Sequence, residues 1–205
     1  MYELRPYQAQ ALENLRNEVR RGNKRPLLVS STGSGKTVIA SHLIDSAIIK
    51  RSRVVFIAHR KEIIDQTSEK LRSMDIDHGI IMSGHAPSAL AEVFVASIQT
   101  LVRRELPQAD LIIIDEAHHA PANSFQKIID AYPNAVIIGL TATPCRGDGR
   151  GLGNVFNSIV QVAQTHELIS QGYLVPTVVY APSKPDLGGV HIRRGDYDAA
   201  ELEKA

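Results

Sequence analysis

Short apolar runs rich in Val and Ile recur along the chain at 26–30, 53–58, 92–96, 110–114 and 135–140, each bounded by charged or turn-forming residues, with a weaker run at 79–82. Runs of this length are too short for independent helices. Without polar alternation they read as strands buried on both faces, the pattern of a parallel sheet. Between them the apolar positions recur at helical spacing over 6–21, 36–50, 61–73 and 124–131, which predicts amphipathic helices. Pro6 suits a first helical turn and Gly22 suits a stop. A helix followed by repeated strand–helix units predicts an α/β fold, with a mostly parallel central sheet and helices on both faces.

Near Thr143 the pattern breaks, because Pro144, Gly147, Gly149, Gly151 and Gly153 punctuate the chain ahead of a last helix at 166–171 and a Val-rich segment at 175–180. From Ala181 onward Pro, Gly and alternating charge dominate, and Arg193 and Arg194 fall in no strand or helix pattern. One domain over 1–180 is expected, followed at 181–205 by a linker or the start of a second domain. The 205 residues agree with one domain, and 43% hydrophobic with 22% charged residues excludes a disordered chain. No apolar run approaches the roughly 20 residues of a membrane span, and the first residues lack a secretory block, so no membrane association and a cytoplasmic location are expected. The single cysteine, Cys145, excludes an intramolecular disulfide. A net charge of +1 neither announces nor excludes nucleic acid.

The chemistry concentrates where predicted strands end. The run at 26–30 leads directly into Ser31-Thr32-Gly33-Ser34-Gly35-Lys36-Thr37 and then a helix, the context of a phosphate-binding loop. Gly33 and Gly35 let backbone N–H groups close around phosphate oxygens, Lys36 can reach the β and γ phosphates, and the Thr37 hydroxyl can ligate Mg²⁺. Ser30 stands where the usual pattern has its first glycine. The strand at 110–114 ends in Asp115-Glu116-Ala117-His118, and carboxyl ends of strands are where open α/β sheets bind ligands. Asp115 is expected to hold Mg²⁺, and Glu116 to orient or deprotonate the water that attacks the γ phosphate. No second ligand set at zinc spacing accompanies His118 and His119, so His118 is expected to couple polar groups and His119 simply to be exposed.

Together these residues resemble the first RecA-like domain of superfamily 2 helicases and translocases, in the DEAH-bearing branch that includes helicase subunits of type III restriction enzymes and XPB-related repair helicases. The resemblance spans about residues 3–180. It rests on 4–8, 31–37, 57–60, 97–100, 115–118 and 141–143, in the family's order. It implies that Arg5 and Gln8 recognise adenine, and that His59, Arg60, Gln99 and Thr100 hold a nucleic-acid backbone. It implies also that Thr141 and Thr143 couple hydrolysis to movement, their hydroxyls bonding the acidic pair. The Gln amide can pair with an adenine edge, and Arg60 can neutralise a phosphate without reading sequence. Aromatic residues are only 5%, so base stacking is not the expected grip.

The expected function is the ATP-binding half of a nucleic-acid-dependent ATPase, a DNA helicase or translocase using ATP and Mg²⁺. DNA is the expected strand and RNA the alternative. The rivals are the motor subunit of a restriction system and a stand-alone ATP-switch module acting on a protein partner. The resemblance further implies a second RecA-like domain that supplies arginine fingers, and no sequence for it follows Tyr180. The chain is therefore expected to be part of a longer motor and, alone, to bind ATP but hydrolyse it weakly.

Overall fold

The computed structural model describes residues 3–85, 91–145, 149, 151–176, 191–193 and 196–197. Its elements in chain order are α1 (Pro6–Arg20), β1 (Pro26–Val29), α2 (Lys36–Ile49), β2 (Val54–Ala58), α3 (Lys61–Arg72), β3 (Gly79–Ile81), β4 (Val93–Ser97), α4 (Ile98–Leu101), β5 (Leu111–Asp115), α5 (Asn123–Ala131), β6 (Val136–Thr141), β7 (Ser158–Gln161) and α6 (Thr165–Ser170). The first seven strands form one sheet in the order β3-β4-β2-β5-β6-β1-β7, and every neighbouring pair is parallel. Parallel pairing places all the carboxyl ends on one edge, and the central strands β2, β5, β6 and β1 deliver their following residues side by side there.

The absence of alternation in these strands follows from burial on both faces. Along β2, Val54, Phe56 and Ala58 join the core beneath α1, α2 and α3, whereas Val55 and Ile57 join the core beneath α4 and α5. Successive side chains point to opposite faces, so two apolar layers require a continuous apolar run. The second layer is completed by Leu152, Val155 and Phe156, which follow the glycine-rich stretch. Phe156 packs where β6 carries Gly139: a methyl group added there would lie 2.5 Å from Phe156 Cζ and 2.8 Å from Leu27 Cδ1.

The five apolar runs and the weaker sixth all become strands, with ends shifted by no more than a residue or two from the expected ones. Gly22 ends α1 with φ +91° while Asn23 N–H bonds Glu18 O, which satisfies the last carbonyls as a helix-terminating glycine does. Within residues 3–176 three features were not expected: β7, α4 and a 3-10 turn at Ala117–His119. β7 reads Ser-Ile-Val-Gln, too polar to stand out, because it lies at the sheet margin and leaves Ile159 exposed. The last helix runs Thr165–Ser170, one residue earlier than the 166–171 expected. Of 175–180, only Val175 and Pro176 are described; they are exposed and irregular. Most of 181–205 lies outside the described residues, but Arg193, expected in no strand, belongs to the two-residue β8 (Ile192–Arg193), paired antiparallel with β9 (Asp196–Tyr197). Among the described residues no helix is long and apolar enough to cross a membrane.

Candidate functional site at the strand carboxyl ends

β1 delivers the loop. Ser30 N–H still pairs with Thr141 O at 2.9 Å, and beyond it the chain turns through Gly33 (φ +80°) and Gly35 (φ +87°) into α2. Glycine is favoured at 35 because its backbone is left-handed, and a Cβ there would also press on the Gln8 amide. Ser30 is accommodated because its own backbone is not left-handed, and its buried hydroxyl pairs with that of Ser34, which in turn donates to Ser31 O. The serine thus staples the loop where glycine would leave it loose. Lys36 Nζ folds back to Ser30 O at 3.3 Å, so the ammonium lies against the loop at the start of α2. A glycine loop leading into a helix amino end, with a lysine beside it, suits a polyphosphate.

The start of α1 latches this loop from the side. Gln8, 4% exposed, accepts from Arg5 N–H through Oε1 at 3.0 Å and donates from Nε2 to Ser34 O at 2.9 Å, while Tyr7 OH donates to the same carbonyl at 3.0 Å. Gln8 therefore spends part of its amide on the loop and on capping α1, leaving one N–H and one lone pair for a ligand. A cleft of about 270 Å³ opens here, lined by Glu3, Arg5, Gln8, Gly33, Ser34, Gly35 and Val38.

β5 delivers the acids. Asp115, its last residue, is 8% exposed, and burial followed by the neighbouring Glu116 charge pushes its carboxyl up to about 6. The Glu116 backbone N–H and the Lys36 ammonium pull the other way without overcoming this. Glu116 adopts φ +49°, an uncommon left-handed geometry for a residue with a side chain, and from it the chain enters the 3-10 turn. A buried carboxylate beside a second one, with a lysine that compensates only in part, is a donor set suited to a divalent cation. Asp115 with Thr37 could hold one.

Behind the acids, Thr141 Oγ1 donates to Thr143 O at 2.9 Å and accepts from Thr143 N–H at 3.2 Å. Thr141 Oγ1 also meets His118 Nδ1 at 3.2 Å. The same Nδ1 lies 3.4 Å from Glu116 Oε2. These contacts correct one expectation: Thr141 reaches His118 rather than a carboxylate, and Thr143, itself exposed, takes part through its backbone.

His119 is exposed but not idle, which corrects a second expectation. Its ring packs 4.1 Å from that of His118 and 4.7 Å from that of His59, so the rings link the ends of β5 and β2. Burial, then the His118 charge, lowers the His119 pKa; burial, then Arg60, lowers that of His59, and both rings are neutral at pH 7. Arg60 Nε donates to His59 Nε2 at 3.1 Å, and Gln99 Nε2 donates to His59 O at 3.0 Å with its Oε1 taken by Ser97 Oγ. His59, Arg60 and Gln99 thus cluster at the ends of β2 and β4, with half-buried Thr100 following in α4 and the Arg60 guanidinium exposed. Sequence reasoning missed the partners supplied from α6 and the turn after it: Thr165 Oγ1 lies 2.8 Å from Ser31 Oγ, and Leu174 packs on Gly33. With more than a hundred residues between them and no motif at 165–174, no spacing signal could have found them.

Comparison with known proteins gives the chain a family and relatives of like fold. The family profile described as "Type III restriction enzyme, res subunit" matches residues 1–146. The putative ATP-dependent helicase IRC3 of Saccharomyces cerevisiae is 33% identical over 220 residues, covering 97% of this chain and 32% of that protein. The DNA 3'-5' translocase XPB2 of Sulfurisphaera tokodaii is 29% identical over 194 residues, covering 94% of this chain and 38% of that one. The crystal structure of the UvsW helicase from bacteriophage T4 superposes with a TM-score of 0.64 at 20% identity, over 78% of this chain and 60% of that one, a likeness of fold. The chain spans about a third of the length of the curated relatives it matches.

Proposed function

This chain belongs to the type III restriction enzyme res subunit family, with the fold of a first RecA-like domain, and from that premise we propose that it is the ATP-binding half of a nucleic-acid-dependent motor, a DNA helicase or translocase. The observation that carries the proposal is one juxtaposition. Lys36 lies folded over the glycine loop at the end of β1, Asp115 and Glu116 stand at the end of β5 two places along the sheet, and the Lys36 charge is felt at Asp115. The loop N–H groups and Lys36 bind and orient the β and γ phosphates of ATP. Thr37 and Asp115 would hold Mg²⁺, which would supply charge neutralisation at the phosphates. Glu116, beside His118 Nδ1, accepts a proton from the attacking water as its oxygen bonds the γ phosphorus and the bond to the ADP oxygen breaks. The name of one relative, a DNA 3'-5' translocase, supports DNA as the strand. The domain over 1–180 belongs to the same proposal.

Arg60 is the backbone contact most open to test, because its guanidinium is exposed at the site edge. Anisotropy of a labelled single-stranded DNA, titrated across ionic strength, is expected to show salt-sensitive binding. Arg60→Ala lowers the slope of log K against log salt by about 0.7, the share of one phosphate on a single strand. Absence of salt-dependent binding at low ionic strength would contradict the nucleic-acid part and favour an ATP switch acting on a protein.

A further inference from the structure

The end of α6 has a role that neither the loop nor the acids explain. Gly172 (φ +75°) follows the helix, with its N–H on Ile169 O and the Tyr173 N–H on Leu168 O at 2.8 Å. This paired pattern is a Schellman stop, and it fixes the direction in which the next side chain leaves the helix. That side chain is Tyr173. Its half-buried ring lies under the Arg5 guanidinium, with Cζ 4.9 Å from the ring centroid, and meets the Tyr7 ring edge-on at 5.1 Å. Arg5 Nη1 also donates to Tyr7 OH at 3.3 Å, and that hydroxyl donates to Ser34 O. An exposed arginine is therefore pinned by one ring and one hydroxyl at the wall of the cleft beside the phosphate loop.

Resting on the nucleotide site proposed above, we infer that Tyr173 is a positioning residue that sets base selectivity by holding the Arg5 guanidinium over its ring and against the Tyr7 hydroxyl. Left free, a guanidinium presents its fork of N–H groups edge-on, the geometry that pairs with the O6 and N7 acceptors of guanine. Held over Tyr173, with Nη1 occupied by Tyr7, its fork is not free for a base edge, and edge recognition passes to Gln8. The Gln8 amide is itself oriented by Arg5 N–H and Ser34 O, so it presents one donor and one acceptor, the pair that matches the N7 and N6 of adenine. The pinned arginine also loses its rotamer freedom before the base arrives, which strengthens binding.

The test measures affinities of the 205-residue chain for Mg²⁺-ATP, Mg²⁺-GTP and Mg²⁺-tripolyphosphate, the last lacking a base. Tyr173→Ala is expected to weaken ATP by about threefold to tenfold, the range of a lost cation–π contact, and to shrink the ATP preference over GTP at least as much. Tripolyphosphate affinity stays unchanged, and Tyr173→Phe, which keeps the ring, behaves as wild type. In an Arg5→Ala background Tyr173→Ala adds nothing. Arg5→Ala changes the ATP-to-GTP ratio by itself, which keeps the test decisive if Tyr173→Ala does not fold. Parallel weakening of ATP and tripolyphosphate would overturn the inference, since Tyr173 would then support the phosphate loop, and so would an unaltered ATP-to-GTP ratio. A wild-type chain that binds neither ATP nor tripolyphosphate would instead overturn the nucleotide site itself.

Discussion

Replacing Glu116 by glutamine is expected to lower ATP turnover by about 10²–10⁴-fold, the contribution of a positioned general base, while leaving Mg²⁺-ATP binding largely intact. The substitution removes one negative charge and the proton acceptor but keeps the side-chain length and an oxygen for His118 Nδ1, which lies 3.4 Å from Oε2. Single-turnover phosphate release in the presence of single-stranded DNA measures the first quantity, and equilibrium titration the second. The split between them is the informative part. Loss of binding together with turnover would mean that Glu116 holds the phosphates or the cation rather than activating water.

The second large effect concerns stability and has the opposite sign to function. Asp115 is expected to be a burden on the unliganded fold, because burial and the adjacent Glu116 raise its carboxyl to about 6 from an ordinary value near 4. Between those two values the native state binds more protons than the unfolded chain. Stability therefore falls as pH rises through that window, and the penalty is fully present above about pH 6. Asp115→Asn removes the ionisation and keeps an acceptor for the Glu116 N–H, so it should stabilise the chain by about 1–3 kcal/mol at pH 7.5 and by little at pH 4. Urea unfolding at the two pH values, without nucleotide or Mg²⁺, measures this. Destabilisation by Asn at pH 7.5 would mean that Lys36 compensates the charge more than burial penalises it. The variant should also bind Mg²⁺-ATP poorly, in keeping with the trade-off between stability and activity at sites that hold charge.

How much of this was legible in the sequence depends on which interactions are local. The buried strands are legible because two apolar faces need an unbroken apolar run, and the run at 110–114 places Asp115 at the carboxyl edge. Gly35 could be placed in a phosphate-binding loop from the loop pattern. The close approach of Gln8 to it could not be read, because α1 reaches the loop through tertiary packing. Ser30 read as a defect in the glycine pattern. The structure shows a backbone that needs no glycine and a hydroxyl that finds Ser34. β7 stayed hidden because a marginal strand buries only part of its surface and so carries polar residues. His119 was misjudged because exposure does not preclude contact: its neighbours His118 and His59 come from the turn after β5 and from the end of β2, and no spacing in the sequence joins the two. Tyr173 was out of reach for the same reason, its placement set by the Gly172 turn and its partners lying at the other end of the chain.

The loop as a Mg²⁺-nucleotide site is the centre of this account, and calorimetric titration of Mg²⁺-ATP into the chain and into its Lys36→Ala variant tests it most directly. The expected result is one site per chain for the wild type, dependent on Mg²⁺, with affinity lost or reduced by an order of magnitude or more, about 1.4 kcal/mol, when the lysine ammonium is removed. Equal affinities for the two proteins, or no Mg²⁺-dependent binding by the wild type, would contradict it.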